Sequence, residues 1–188
     1  MNASPRILGP ALIAWVFLPP APLPAQVDGH ERPDYLQVVR AYADCLLEHG
    51  RDDYGPVHSP LFAEALDRTT LRLLEGDALK KAEAIKRQEW GLRPGDRMLT
   101  GANPQHCEDF YQVLYALTRA TGDPKYAAEA DKSLRWFFEH CQSPQTGLMC
   151  WGEHAGWDFR TEARARYSQG NTHEFYRPWV LWDRCWEL

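Results

Sequence analysis

The stretch Trp151-Gly152-Glu153-His154-Ala155-Gly156-Trp157-Asp158 sets a Glu, a His and an Asp between two Trp side chains. A carbohydrate site needs that mixture. Indole faces cover the apolar C–H surface of a sugar, and carboxylates hold hydroxyls or move protons. Glu153 or Asp158 has the chemistry of a general acid or base, and His154 serves as either near neutral pH. The same residues have a plainer reading, with the two carboxylates capping nearby backbone, His154 hydrogen-bonded inside and both Trp in the core. Other candidates lie apart in the chain. Asp52-Asp53 ahead of Tyr54 offers two adjacent carboxylates to a hard, oxygen-seeking cation such as calcium, or forms an ordinary solvated turn. Arg97 could clamp a carboxylate with two parallel bonds, as a uronic acid would require, or pair with Asp96. His173-Glu174 is a further substrate contact or simply a helix start. His106 and His140 read as structural.

The elements that must position these residues are helical. Asp34 caps a run whose residues Tyr35, Val38, Val39, Tyr42, Leu46 and Leu47 recur at helical spacing, and Gly50 ends it. Asn103-Pro104 opens a second run with the stripe Phe110, Val113, Leu114 and Leu117, stopped by Gly122. Asp123-Pro124 opens a third, with Tyr126, Ala127, Ala130, Leu134, Phe137 and Phe138. The second and third runs, each about 27 Å long at the helical rise, make an antiparallel hairpin. Ala78–Trp90 suits a charged helix. From Glu174 to the end another helix is expected, with Trp179, Trp182, Cys185 and Trp186 on one face. Its apolar face needs something to pack on, so the chain reads as the N-terminal part of a larger helical protein. The connectors 51–103 and 143–173 are long, and in the first, short strands and turns are expected. If successive helices alternate in direction, both connectors reach the same end, and the candidate residues gather there.

Composition narrows the class. The 188 residues carry a formal charge of −5 and no dominant basic stripe, so no nucleic-acid partner is expected. Eight Trp and eight Tyr are many for this length and serve as core or as stacking platforms. Arg6, the apolar run Ile7–Leu18 and Leu23-Pro24-Ala25 before Gln26 resemble a secretory signal, predicting a signal peptide over 1–25 and a mature domain over 26–188. A secreted or periplasmic protein follows, with no membrane span after cleavage. Export permits disulfides, yet five cysteines leave one unpaired. Cys45, Cys107, Cys141 and Cys185 fall in helical runs and read as buried thiols. No C-x-x-C, G-x-S-x-G, H-E-x-x-H, Walker loop or dinucleotide fingerprint is present.

Longer segments carry a resemblance. Gly101-Ala102-Asn103-Pro104, Tyr111–Thr118, Thr121-Gly122-Asp123-Pro124-Lys125-Tyr126, Trp136-Phe137-Phe138, Thr146-Gly147-Leu148 and Trp151-Gly152-Glu153-His154 resemble helical hairpins of the α/α-toroid carbohydrate-active proteins. The likeness is strongest to secreted pectic acid lyases of polysaccharide lyase family ten and looser to six-hairpin glycosidases. It implies an all-α fold of antiparallel helical hairpins forming part of an α/α toroid. It also implies an exported enzyme cleaving acidic polysaccharide by β-elimination. In that reading Glu153 and His154 transfer protons, and Arg97 or a calcium ion on Asp52 and Asp53 stabilises the developing charge. Trp151, Trp157, Tyr54 and His173 would hold sugar. Two alternatives stand beside it: a glycoside hydrolase using Glu153 and Asp158 as paired carboxylates, and a helical domain that binds glycan without turnover.

Overall fold

The computed structural model describes residues 34–89, 91, 98–142, 156–164 and 179–188. Five helices carry these residues: α1 (Tyr35–His49), α2 (Gly76–Gln88), α3 (Glu108–Thr121), α4 (Lys125–Cys141) and α5 (Trp182–Glu187). The fold is all-α, with antiparallel packing of helices, and three two-residue strands lie in the connectors. The Asp34 side chain accepts from the amides of Leu36 at 3.0 Å and Gln37 at 3.2 Å, so α1 begins where its cap requires. At the α3–α4 turn Gly122 adopts a φ of 75°, a left-handed conformation that suits a residue without Cβ. Thr118 Oγ1 then donates to the Asp123 carbonyl at 2.9 Å and accepts from Ala127 N at 3.0 Å. These bonds lock the two helices into the expected hairpin.

Helix α3 starts four residues later than its sequence suggests. The Asn103 side chain accepts from Gln105 N, and its carbonyl accepts from both His106 N and Cys107 N. Asn103-Pro104 therefore builds a tight turn ahead of the helix rather than its first turn. Within the hairpin, Leu114, Leu117, Tyr126, Ala130 and Leu134 are buried with Phe62, Ala43, Trp179 and Leu181 in one core. A buried hydrogen bond of 2.7 Å joins Tyr111 Oη to Ser133 Oγ across the hairpin. Helix α1 enters this core through Tyr42, whose ring meets that of Phe110 edge-on at 5.8 Å while staying half-exposed, and through its second half. Ala43 is buried and Leu46 and Leu47 are partly buried, whereas Tyr35, Val38, Val39 and Tyr42, expected on the packed face, are exposed. Helix α5 is short, and 174–178, where its start was expected, lie outside the described residues. Trp179 is buried, but Trp186 is 91% exposed and does not share its buried face.

The two long connectors pair with each other. β1 (Gly101–Ala102) from the first and β2 (Trp157–Asp158) from the second run antiparallel, with Gly101 opposite Asp158 and Ala102 opposite Trp157. β3 (Ala163–Arg164) completes a sheet of order β1-β2-β3. Beneath this sheet Leu61, Leu73, Ala102, Phe137, Trp157 and Phe159 form a second core. Among the described residues no helix is long and apolar enough to cross a membrane. Cys45 and Cys185 are free thiols, partly rather than fully buried, and burial raises the Cys185 pKa to about 11.

Candidate functional site

The strands are too short to hold by periodicity, so their backbone spacing must be tight, and two glycines supply it. A Cβ on Gly101 would sit 2.0 Å from the Trp157 carbonyl oxygen, and one on Gly156 would sit 2.5 Å from that of Ala102. Real Cβ atoms do not approach so closely, so both positions demand glycine. The Met98 side chain fills the same corner. Its Sδ lies 2.7 Å from the Cβ position of Gly101, and its Cε lies 3.0 Å from that of Gly156. The chain on either side of the seam thus meets at Met98 and Gly156.

Further bonds fasten the start of the first connector to the sheet. Glu64 N donates to the Gly101 carbonyl at 2.9 Å, and Phe159 N to that of Thr100 at 3.0 Å. Ala63 N donates to the Gly50 carbonyl at 2.8 Å, beside a single bridge between Arg51 and Phe62. The Arg51 guanidinium stacks on the Phe62 ring and bonds Pro60 O and Glu129. Glu162, on the turn before β3, accepts from Val57 N at 2.8 Å. A Cβ on Gly55 would strike that carboxylate at 1.9 Å, so the loop after α1 packs directly against the Glu162 side chain.

The predicted residues within the described part have definite partners. Asp52 is buried, and its Oδ2 accepts from Ser59 Oγ at 2.7 Å and Ser59 N at 3.2 Å. Burial pushes its carboxyl above the ordinary carboxylate range; the Ser59 bonds oppose that shift, and the nearby Glu162 charge adds to it. Asp53 is exposed and pairs with Arg72. The two adjacent carboxylates therefore have separate partners and do not form one cradle for calcium. Tyr54 Oη accepts from Leu73 N at 2.7 Å; its ring stacks on Phe159 with centroids 6.2 Å apart, and the Arg72 guanidinium lies 4.4 Å over it. This ring serves packing. Trp157 is nearly buried, edge-on to Trp136 at 4.9 Å, and its Nε1 has no hydrogen-bond partner. Asp158 Oδ2 accepts from Thr100 Oγ1 at 2.6 Å, and Oδ1 accepts from Arg160 N and Thr161 N at 2.9 Å each. Asp158 caps the β2–β3 turn, the plainer of its two expected roles. Arg97, Trp151, Glu153, His154 and His173 lie outside the described residues.

Sequence reasoning missed a second polar group beside the seam. Glu64 Oε1 and His106 Nδ1 lie 3.3 Å apart, with both side chains nearly inaccessible to solvent. Next to His106 in the chain, Gln105 is 1% exposed, and neither its amide oxygen nor its nitrogen has a hydrogen-bond partner. Glu64 Oε2 is also buried without one. Buried polar atoms left unpaired cost about 1–3 kcal/mol each, so such a group is rarely retained for stability alone. Its only trace in the sequence is the pair of polar residues following Asn103-Pro104; Glu64 is too distant in the chain to be linked with them. Among the described residues no group of three or more His, Cys, Asp or Glu side chains could hold a metal ion.

A family model described as periplasmic pectate lyase matches residues 73–187, more than half of the chain. The matched stretch contains Arg97, Trp151, Glu153, His154, Trp157, Asp158 and His173. It excludes Asp52, Asp53 and Tyr54, whose side chains are occupied in packing, turn formation or ion pairing.

Proposed function

The chain belongs to the periplasmic pectate lyase family, and we propose that it acts on acidic polysaccharide by β-elimination. The family is one of periplasmic proteins, in agreement with the secreted or periplasmic destination expected from the N-terminus. In the same reading residues 1–25 are a signal peptide and the helical hairpins belong to an α/α toroid.

The observation that carries the reading is the corner where Met98 packs against Gly101 and Gly156. Met98 follows Arg97 directly, and Gly156 follows Trp151–Ala155 directly. The residue with the best charge for a uronate carboxylate and the segment with the best proton-transfer groups thus leave the described structure from neighbouring points. Glu153 lies three residues from Gly156, a reach of at most about 10 Å of extended chain.

The chemistry assigned to these groups is a proton abstraction. Glu153 or His154 takes the proton α to a uronate carboxylate. The electron pair left behind forms a carbon–carbon double bond as the glycosidic oxygen on the β carbon departs and is protonated. Negative charge builds on the carboxylate during the step, and Arg97, always cationic, stabilises it with paired hydrogen bonds. Asp158 takes no part, because three donors already hold it; the paired-carboxylate hydrolase loses its second member on that account. No step is routed through calcium at Asp52 and Asp53, because each already has its own partner.

Turnover of polygalacturonate by wild type, Glu153→Gln, His154→Ala and Arg97→Ala tests the assignment. Loss of turnover in Arg97→Ala and in one or both of the other variants, with folding retained, is expected. Retention of glycan binding by every variant, with no turnover even in wild type, would instead indicate a glycan-binding domain.

A further inference from the structure

The sheet face that carries Trp157 also carries a cation. Trp157 and Arg164 stand opposite each other in the β2–β3 pair, so their side chains leave the same face of the sheet. Trp157 turns inward and meets the Trp136 indole of α4 at right angles, with centroids 4.9 Å apart. Arg164 is half-buried and reaches the end of α4, where its Nη1 donates to the Gln142 carbonyl at 2.8 Å. That carbonyl leaves most of the guanidinium N–H groups unused. Among the described residues no carboxylate pairs with Arg164, whereas Arg51, Arg72, Arg160 and Arg184 each hold one.

Beside this cation lies an aromatic shelf. The His140 imidazole stacks on the Trp136 indole, with centroids 4.1 Å apart and planes within 6°. Its Nδ1 lies 2.9 Å from the Trp136 carbonyl oxygen, which only accepts, so Nδ1 carries the proton and Nε2 is left as an acceptor. His140 is exposed while its inner face is covered, so its outer ring face and Nε2 meet solvent. His140 and Gln142 are two residues apart in the chain, which sets their Cα atoms within about 7 Å of each other. The imidazole and the guanidinium therefore flank a stretch of surface comparable in size to a disaccharide. A helix C-terminus favours a basic side chain near its last carbonyls. Here two converge, and among the described residues no carboxylate neutralises either.

We propose that this shelf is an outer subsite for a uronate unit of an acidic polysaccharide. The proposal rests on the reading that such a polymer is the substrate. Arg164 takes the carboxylate, His140 Nε2 accepts from a ring hydroxyl, and the stacked rings cover the apolar C–H face of the sugar. Trp157 follows Gly156 directly, so the shelf is built on the strand that continues the segment bearing Glu153 and His154.

Affinity electrophoresis of the full chain through gels containing polygalacturonate tests the subsite, with fully methyl-esterified pectin as the uncharged control. Arg164→Gln keeps a donor for the Gln142 carbonyl and loses the charge. His140→Ala removes an exposed ring, and unchanged far-ultraviolet circular dichroism confirms that both variants are folded. The wild type is expected to bind polygalacturonate and to bind the ester far more weakly. Arg164→Gln is expected to weaken binding of polygalacturonate about tenfold and His140→Ala about threefold. Unchanged binding in either variant, as helix capping alone would give, would overturn the subsite. So would a wild type that binds the ester equally well or binds neither polymer. Turnover of polygalacturonate by the wild type is read separately from ultraviolet absorbance. Turnover with binding that the variants leave unchanged refutes the subsite and leaves the lyase reading standing. Binding that both variants weaken, without turnover, keeps the subsite and refutes the lyase reading.

Discussion

Replacing Gly101 by Ala tests the seam that joins the two connectors. The added methyl would lie 2.0 Å from the Trp157 carbonyl oxygen and 2.8 Å from the Asp158 Cα, both backbone atoms, and 2.7 Å from Met98 Sδ. A flexible side chain such as Met98 can yield, but the paired backbone can do so only by opening β1 from β2. Opening also disturbs the Glu64 N bond to the Gly101 carbonyl and the bond from Phe159 N to Thr100. At about 1 kcal/mol for each of the two net hydrogen bonds, plus 1–3 kcal/mol for overpacking, the expected loss is about 3–5 kcal/mol. For a domain of this size that is a fall in Tm of roughly 6–20 °C. The control is Gly76→Ala, where the new methyl meets nothing within 4 Å and only the φ of 52° is strained; its cost should be near 1 kcal/mol. Urea titration followed by circular dichroism gives both values. A Gly101→Ala variant within 0.5 kcal/mol of wild type, about the scatter of an ordinary surface substitution, would refute the close approach at the seam.

Other perturbations reach different parts of the structure. Asp52 titrates above its unfolded value because of burial, so the folded state binds its proton more tightly. Stability should therefore fall as pH rises through the interval between the unfolded and folded values, the reverse of a salt-bridged carboxylate. Asp52→Asn, which keeps an acceptor for Ser59, should remove that fall and raise Tm at pH 7; thermal melts across pH 3–8, roughly the carboxylate range, check this, and a lower Tm at pH 7 would contradict it. Asp131→Asn loses the charge that Arg184 and Tyr115 share; because the pair is partly exposed, a cost of only about 1–2 kcal/mol is expected by chemical denaturation, and no change would show that this carboxylate does not anchor α5.

The parts of the fold legible in the sequence are those fixed by neighbours in the chain. Asp34, Gly122 and the 3.6-residue stripes of α3 and α4 act within one or two turns, and the structure follows them. Asn103-Pro104 satisfies the local rule for a helix start, but the Asn103 side chain and carbonyl close a turn with three amides before the helix can begin. The stripe Tyr35, Val38 and Val39 has the right period and still faces water, because period marks a packing face without supplying what covers it; only Tyr42, at its end, reaches the Phe110 ring. The sheet was expected only as unplaced short strands, since two-residue strands show no alternation. Its register rests on the fit of Gly101, Gly156 and Met98, residues far apart in the chain. The same holds for Glu64 with His106, and for Asp158, whose capping role depends on Thr100.

Product analysis on polygalacturonate bears most directly on the functional reading. Elimination leaves an unsaturated, ultraviolet-absorbing sugar at each cut, so absorbance and new reducing ends should rise together, one for one. Reducing ends accumulating without ultraviolet absorbance would mean hydrolysis and would contradict the assignment of proton abstraction to Glu153 or His154 and charge stabilisation to Arg97.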